Sequence, residues 1–224
     1  MIGEYSEIVS LISELDMIVE KDTDIFMIGG GALMKYGLRH QTKDIDIVVN
    51  TEEEFRNLVD ALLSSGFEKK VPENETYGRL TLSHILIRGH IRIDLFCRCV
   101  CGKFSLSKKM MDRASVDVSL SRVRLLVCSL SDIFLFKSMT ERDGDFLDCL
   151  KMTASYSLDW DAILDEAVSQ SVDEHSVWIT WITKRMEELS EEDANIPILE
   201  KMISLSDEYI EKWGKELEER CRDK

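Results

Sequence analysis

Apolar residues recur at helical spacing through Tyr5, Ile8, Leu11, Ile12, Leu15, Ile18 and Val19, so residues 5–19 are predicted to form a helix that buries one face. The period then changes. Residues 24–28 read as a strand ending in three glycines, and ALMKYG reads as a short helix stopped by Gly37. Residues 43–49, KDIDIVV, alternate before becoming continuously apolar, as a strand does when one end leaves a core. Thr51 is placed to cap a helix carrying Phe55, Leu58, Val59, Leu62 and Leu63, with Glu52, Glu53 and Glu54 in its first turn and Gly66 at its end. Residues 79–88 and 90–97 alternate as two strands about a turn at Gly89, and Val123–Val127 supplies another strand. From Ser129 the pattern is helical to the end, with segments beginning near Asp159, Asp173 and Ile196.

These elements predict an α+β fold. A small mixed sheet with flanking helices is expected over residues 1–128, and a helical region packed on it over 129–224. Only Pro72 and Pro197 occur in the chain, so no proline-rich linker marks a boundary, and no internal repeat or low-complexity tract is seen.

Composition narrows the picture. A hydrophobic fraction of 44% and a charged fraction of 32% are those of a soluble globular protein, and no apolar run approaches the roughly twenty residues of a membrane span. The acidic, helically periodic N-terminus lacks signal-peptide features, and six cysteines give no disulfide framework, so a reducing cytoplasmic location is expected. The net charge of -15 argues against a protein that coats nucleic acid over its whole surface. Within the chain the charge is uneven. Residues 69–124 carry twelve Lys and Arg against five Asp and Glu, whereas residues 151–224 carry nine against nineteen. The basic stretch reads either as solvated strand faces or as a dock for an anionic acceptor.

The chemistry concentrates in IGGGALMKYGLRHQTKDIDIVV. Gly29 and Gly30 follow a strand and open a helix, where unpaired backbone N–H groups and absent side chains suit phosphate oxygens. Alternation puts Asp44 and Asp46 on one side of their strand and Ile45 and Ile47 on the other. Two carboxylates facing one space call for a cation, and hard oxygen donors suit Mg2+ that also binds substrate phosphates. The later strand HIRIDLF leaves Arg92, Asp94 and Phe96 opposite its apolar face, which makes Asp94 the natural third ligand. A dinucleotide fingerprint lacks its third glycine, a P-loop lacks Gly-Lys-Ser/Thr, and a haloacid dehalogenase motif lacks a hydroxyl residue at Val48. Cys97, Cys99 and Cys101, read as alternate residues of one strand, lie about 6.5 Å apart per step, too far to share one zinc, and should be buried on the face opposite Asp94.

Gly-Gly at a strand end, a short helix, Thr-x-Asp-x-Asp on the next strand and a lone Asp on a later one resemble the DNA polymerase beta nucleotidyltransferase superfamily. The matching residues are Gly29, Gly30, Ala32, Thr42, Asp44, Asp46 and Asp94, and the resemblance covers residues 24 to about 150. It is most similar to small prokaryotic members, the abortive-infection type toxins and related nucleotidyltransferases. The resemblance implies transfer of a nucleoside monophosphate from a nucleoside triphosphate, such as ATP, to an acceptor hydroxyl on a protein, an RNA or a small molecule. Two Mg2+ ions, with Mn2+ as the alternative, would be held by Asp44, Asp46 and Asp94. Gly29, Gly30, Arg39, Lys43 and Lys137 would face the triphosphate, and Lys137, Arg142, Asp145 and Asp148 resemble a second motif on a helix. A toxin–antitoxin or phage-defence role is in keeping with this likeness. The competing expectation is an inactive nucleotide-binding or partner-binding module of the same fold, associating with a protein partner or a second copy through C-terminal helices that carry Trp178, Trp181 and Met186.

Overall fold

The computed structural model describes residues 1–70, 83–102, 104–171 and 178–222, the side chains of residues 83 and 216–222 aside. Contacts divide the chain into two compact units, Met1–Ile133 and Phe134–Lys224. The division falls inside the helix Leu130–Ser138, a few residues beyond the boundary at 128/129 expected from sequence.

The first unit is built on a seven-stranded mixed sheet. Its strands are β1 (Thr23–Ile28), β2 (Ile45–Val49), β3 (Glu68–Lys70), β4 (Ser83–Arg88), β5 (Ile91–Cys97), β8 (Ser115–Ser119) and β9 (Val123–Val127), in the order β3-β4-β5-β2-β1-β9-β8. A separate two-stranded piece pairs β6 (Cys99–Val100) with β7 (Phe104–Ser105). The pairs β1/β9 and β2/β5 are parallel, and β1/β2, β4/β5, β3/β4 and β8/β9 antiparallel. The expected strand residues before Ser83 lie outside the described residues.

Helices α1 (Tyr5–Asp16) and α3 (Glu52–Ser64) pack on each other and on the sheet, burying Ile8, Leu11, Ile12 and Leu15 from one and Phe55, Leu58, Val59 and Leu62 from the other. Each such side chain contributes about 1.5–3 kcal/mol of burial energy. Thr51 caps α3 as expected: its hydroxyl accepts from the Glu54 backbone N–H at 3.1 Å, and the Glu54 carboxylate accepts from the Thr51 N–H at 2.9 Å. Arg88 fastens the end of β4, donating to Glu14 Oε2 at 2.8 Å and to the Ser65 carbonyl at 2.7 Å while lying over the Phe67 ring. Asp16 fastens the C-terminal end of α1: one oxygen accepts the backbone N–H groups of Arg122 and Val123 at 2.7 and 2.8 Å.

Helix α2 (Gly29–Lys35) opens on the glycines, as expected of Gly29 and Gly30, three residues ahead of ALMKYG. Two sequence expectations are corrected here. Helix α1 ends at Asp16, short of Val19, although Val19 is buried. The strand carrying Asp94 ends at Cys97, because Arg98 takes a left-handed backbone with φ 56°. Cys99 therefore belongs to β6 and Cys101, also left-handed, to the turn after it, so the three cysteines are not alternate residues of one strand. Helix α4 (Lys108–Arg113) leads into the edge strand β8.

The second unit is helical. It comprises the end of α5 (Leu130–Ser138), then α6 (Asp143–Ser155), α7 (Trp160–Ser169), α8 (Trp178–Glu191) and α9 (Leu199–Arg222). Helix α8 contacts α6, α7 and α9, and its Ile179, Ile182, Met186 and Leu189 form the centre of this core. Met186 is thus core and not an association surface, whereas Trp178 and Trp181 are half-buried and meet edge to face. The segment expected to begin near Asp173 lies outside the described residues until Trp178. Among the described residues no helix is long and apolar enough to cross a membrane.

Candidate active site

Parallel pairing of β2 with β5 fixes the site. In that register Asp46 is the direct partner of Asp94, and Ile45 and Ile47 are the partners of Ile93 and Leu95. Paired positions in a sheet send their side chains to the same face, so the two aspartates emerge together on strands about 4.8 Å apart, while the four apolar residues enter the opposite face. Continuing the register by one residue sets Asp44 beside Arg92. Asp44 and Asp46 are both half-buried.

Strand β1 brings the glycine turn to this point. Ile28 pairs with Asp46, and the next residue, Gly29, has φ +63°. A Cβ on Gly29 would stand 1.9 Å from Asp46 Oδ2, closer than any nonbonded contact allows. Only glycine satisfies both the left-handed backbone and the approach to the carboxylate. A Cβ on Gly30 would stand 2.3 Å from Thr42 Oγ1 and 3.3 Å from Arg39 Nη1, so the second glycine admits the loop that precedes β2. Thr42 is buried, and its hydroxyl donates to the Asp44 carbonyl at 2.9 Å. Its backbone exchanges two hydrogen bonds with Ile2, at 2.9 and 3.0 Å, which fastens this loop to the start of the chain. Arg39 is half-buried next to this turn, and Lys43 is exposed, one position out of step with the aspartates.

Arg92 is a participant to which sequence reading gave no role. Its Nε and Nη2 donate to the two oxygens of Asp94, both at 2.7 Å. This two-pronged bond, followed by the negative charges of Asp94, Asp44 and Asp46, raises the Arg92 pKa despite partial burial. The three carboxylates therefore act on one guanidinium. Among the described residues, no group of three or more His, Cys, Asp or Glu stands close enough together to hold a metal ion as the side chains are placed. The donor set nonetheless fits a hard divalent cation: carboxylate oxygens on paired strands, a third two residues away, and a cationic side chain already drawn to them.

Lys137 and its companions form a second cluster, inside the helical unit. The ammonium donates to Asp145 Oδ1 at 2.6 Å and lies 2.7 Å from Asp148 Oδ2. Thr140 donates to the other Asp145 oxygen at 2.6 Å, and Arg142, largely exposed, stands 3.6 Å from it. Burial opposes both charges, yet the carboxylates raise the Lys137 pKa and the ammonium holds Asp145 below its ordinary value. A cleft of about 690 Å³ lies wholly within this unit, with Thr140, Phe146, Trp181 and Arg185 among its lining.

The basic stretch has a third explanation besides the two weighed from sequence. Arg88, Arg92, Arg113 and Arg124 are ion-paired with Glu14, Asp94, Asp132 and Asp24 inside the first unit. Three of these partners, Glu14, Asp24 and Asp132, come from outside the stretch and offset part of its positive charge.

Over residues 6–189 the sequence matches the family described as "Nucleotidyltransferase of unknown function (DUF6036)", and the chain belongs to that family. The motif resemblance is borne out at this level. No curated protein matches the sequence. Among solved structures, JHP933 from Helicobacter pylori is similar at 14% identity and TM-score 0.43, covering 97% of this chain and 98% of its own. ANT(2″)-Ia, solved with adenylyl-2″-tobramycin, is similar at 12% identity and TM-score 0.49, covering 73% and 96%. The Thermotoga maritima protein TM1012, provisionally described as a nucleotidyltransferase, is similar at 18% identity and TM-score 0.41, covering 60% and 83%. Family membership rests on the sequence match, not on these distant likenesses.

Proposed function

We propose that the chain transfers a nucleoside monophosphate from a nucleoside triphosphate to an acceptor hydroxyl, with Asp44, Asp46 and Asp94 as its metal-holding carboxylates. The observation that carries this reading is the register Asp46–Asp94 beside Gly29, because it sets two hard anionic ligands on one face against a glycine backbone with no side chain in the way. Bound Mg2+ ions, or Mn2+ in their place, would supply charge stabilisation to the attacking and leaving oxygens of an in-line displacement.

The chain's own residues have separable tasks. Gly29 leaves room for the Asp46 carboxylate, and Thr42 holds the backbone of Asp44. Arg39, next to Gly30, and Lys43 at the start of the aspartate segment offset triphosphate charge. Lys137, although read as a triphosphate contact from sequence, is committed to Asp145 and Asp148, and we assign that trio, with Thr140, to tying α5 to α6.

The test is to incubate the full chain with Mg2+, each labelled triphosphate and cell extract, beside Asp46→Asn. Label transfer and pyrophosphate release by the wild type alone support the reading, and the labelled product names the acceptor class. Failure of the wild type with all four triphosphates would reject it in favour of an inactive binding module. Growth arrest on expression, lost with Asp46→Asn, would add the toxin role.

A further inference from the structure

We propose that Arg92 is the resident counter-cation of the carboxylate cluster, and that a divalent ion enters by displacing its guanidinium from Asp94. The proposal rests on the nucleotidyl-transfer reading and adds a positioning residue to it.

The geometry is specific. Both oxygens of Asp94 are occupied by one guanidinium fork, at 2.7 Å each. Asp94 is only 14% exposed, so its charge is poorly served by water, while Arg92 at 39% retains a path outward. Two carboxylates at paired positions of neighbouring strands repel, and Asp44, two residues before Asp46, adds a third negative charge. A guanidinium suits the vacancy in this charge balance because it is planar, matches a carboxylate with two parallel bonds and is weakly hydrated. A metal ion needs those same oxygens. Metal and Arg92 therefore compete for Asp94, and the long arginine side chain can give way without moving the strand. Arg92 thus holds the Asp94 carboxylate in place while no ion is bound.

The experiment uses full-length Arg92→Gln and Arg92→Lys, titrated with MnCl2 without nucleotide and followed by the electron paramagnetic resonance of free Mn2+. Thermal midpoints are measured in EDTA and in Mn2+. Removing an opposing charge within a few ångströms should tighten Mn2+ binding by Arg92→Gln about tenfold or more. Its midpoint should fall below wild type in EDTA and recover when Mn2+ is added. Arg92→Lys, which keeps the charge but loses the fork, should lie between, and it carries the test if the glutamine variant does not fold. Unchanged or weaker Mn2+ binding by these variants, with the wild type binding normally, overturns the role of Arg92 alone. If the wild type binds no Mn2+, or Asp46→Asn binds as well as wild type, the metal site itself fails and the proposal goes with it.

Discussion

The Lys137 ammonium lies 2.6 Å from Asp145 and 2.7 Å from Asp148, and no side chain of the three is more than 13% exposed. The ammonium thus bridges two carboxylates that have little access to water. Such a group is costly to break from one side, since the partner left behind remains buried and charged.

Lys137→Met should therefore destabilise the helical unit by about 3–5 kcal/mol, read as a lower urea midpoint. Adding Asp145→Asn and Asp148→Asn to it should recover much of the loss, because no uncompensated charge then remains. Equal destabilisation of the single and triple variants would show that packing, and not charge balance, holds this cluster.

Asp46→Asn and Asp94→Asn keep the side chain's shape but remove its charge, and Asp94→Asn also gives up one of the two bonds it accepts from Arg92. Each should lower nucleotidyl transfer at least about a hundredfold while leaving the circular dichroism spectrum unchanged. Retained activity in either variant would remove that carboxylate from the site.

Gly29→Ala meets two penalties: a left-handed backbone costing about 1–2 kcal/mol and a methyl group thrust against Asp46. Gly37 has φ +72° but open space around its would-be Cβ. Gly37→Ala should lose only the backbone contribution and keep transfer activity, whereas Gly29→Ala should lose stability and activity together. Thermal melts and transfer rates on the pair separate strain from contact.

Backbone N–H groups of Arg122 and Val123 and the Ser121 hydroxyl and N–H bind the Asp16 carboxylate and lower its pKa from 3.8 to about 2. A depressed folded-state value means that this stabilisation is complete above the unfolded value and is lost as pH falls through the folded one. Between pH 4 and 2 the wild type should lose stability, and Asp16→Asn should lose less over that window because its amide does not titrate. Urea midpoints at each pH provide the comparison.

The carboxylate face was legible in the chain because the first residues of β2 and β5 alternate, so Asp44 with Asp46, and Arg92 with Asp94, could each be assigned to one side. Alternation says nothing about which strands are neighbours. The in-register meeting of Asp46 and Asp94 comes from parallel pairing, a long-range relation with no local signature. Arg92 was placed correctly yet given no role, because residues two apart on a strand meet only when one side chain is long enough to bend back. Strand β3, with the sequence EKK, sits at a sheet edge with exposed side chains, so hydrophobic patterning could not announce it; β8, SVDVS, alternates but is short and mostly exposed at the other edge. Three glycines have poor helix propensity, and packing against Asp46, Thr42 and Met27 is what demands them at the start of α2.

The parallel register of β2 and β5 also restricts how this fold can be lengthened. Inserting or deleting a single residue ahead of Asp94 within its strand reverses every downstream side chain, sending a carboxylate into the hydrocarbon layer beneath α3 and a leucine into the open. Point substitutions have no equivalent effect. Within these two short segments chain length is as tightly constrained as chemistry, and loops can grow only beyond their ends.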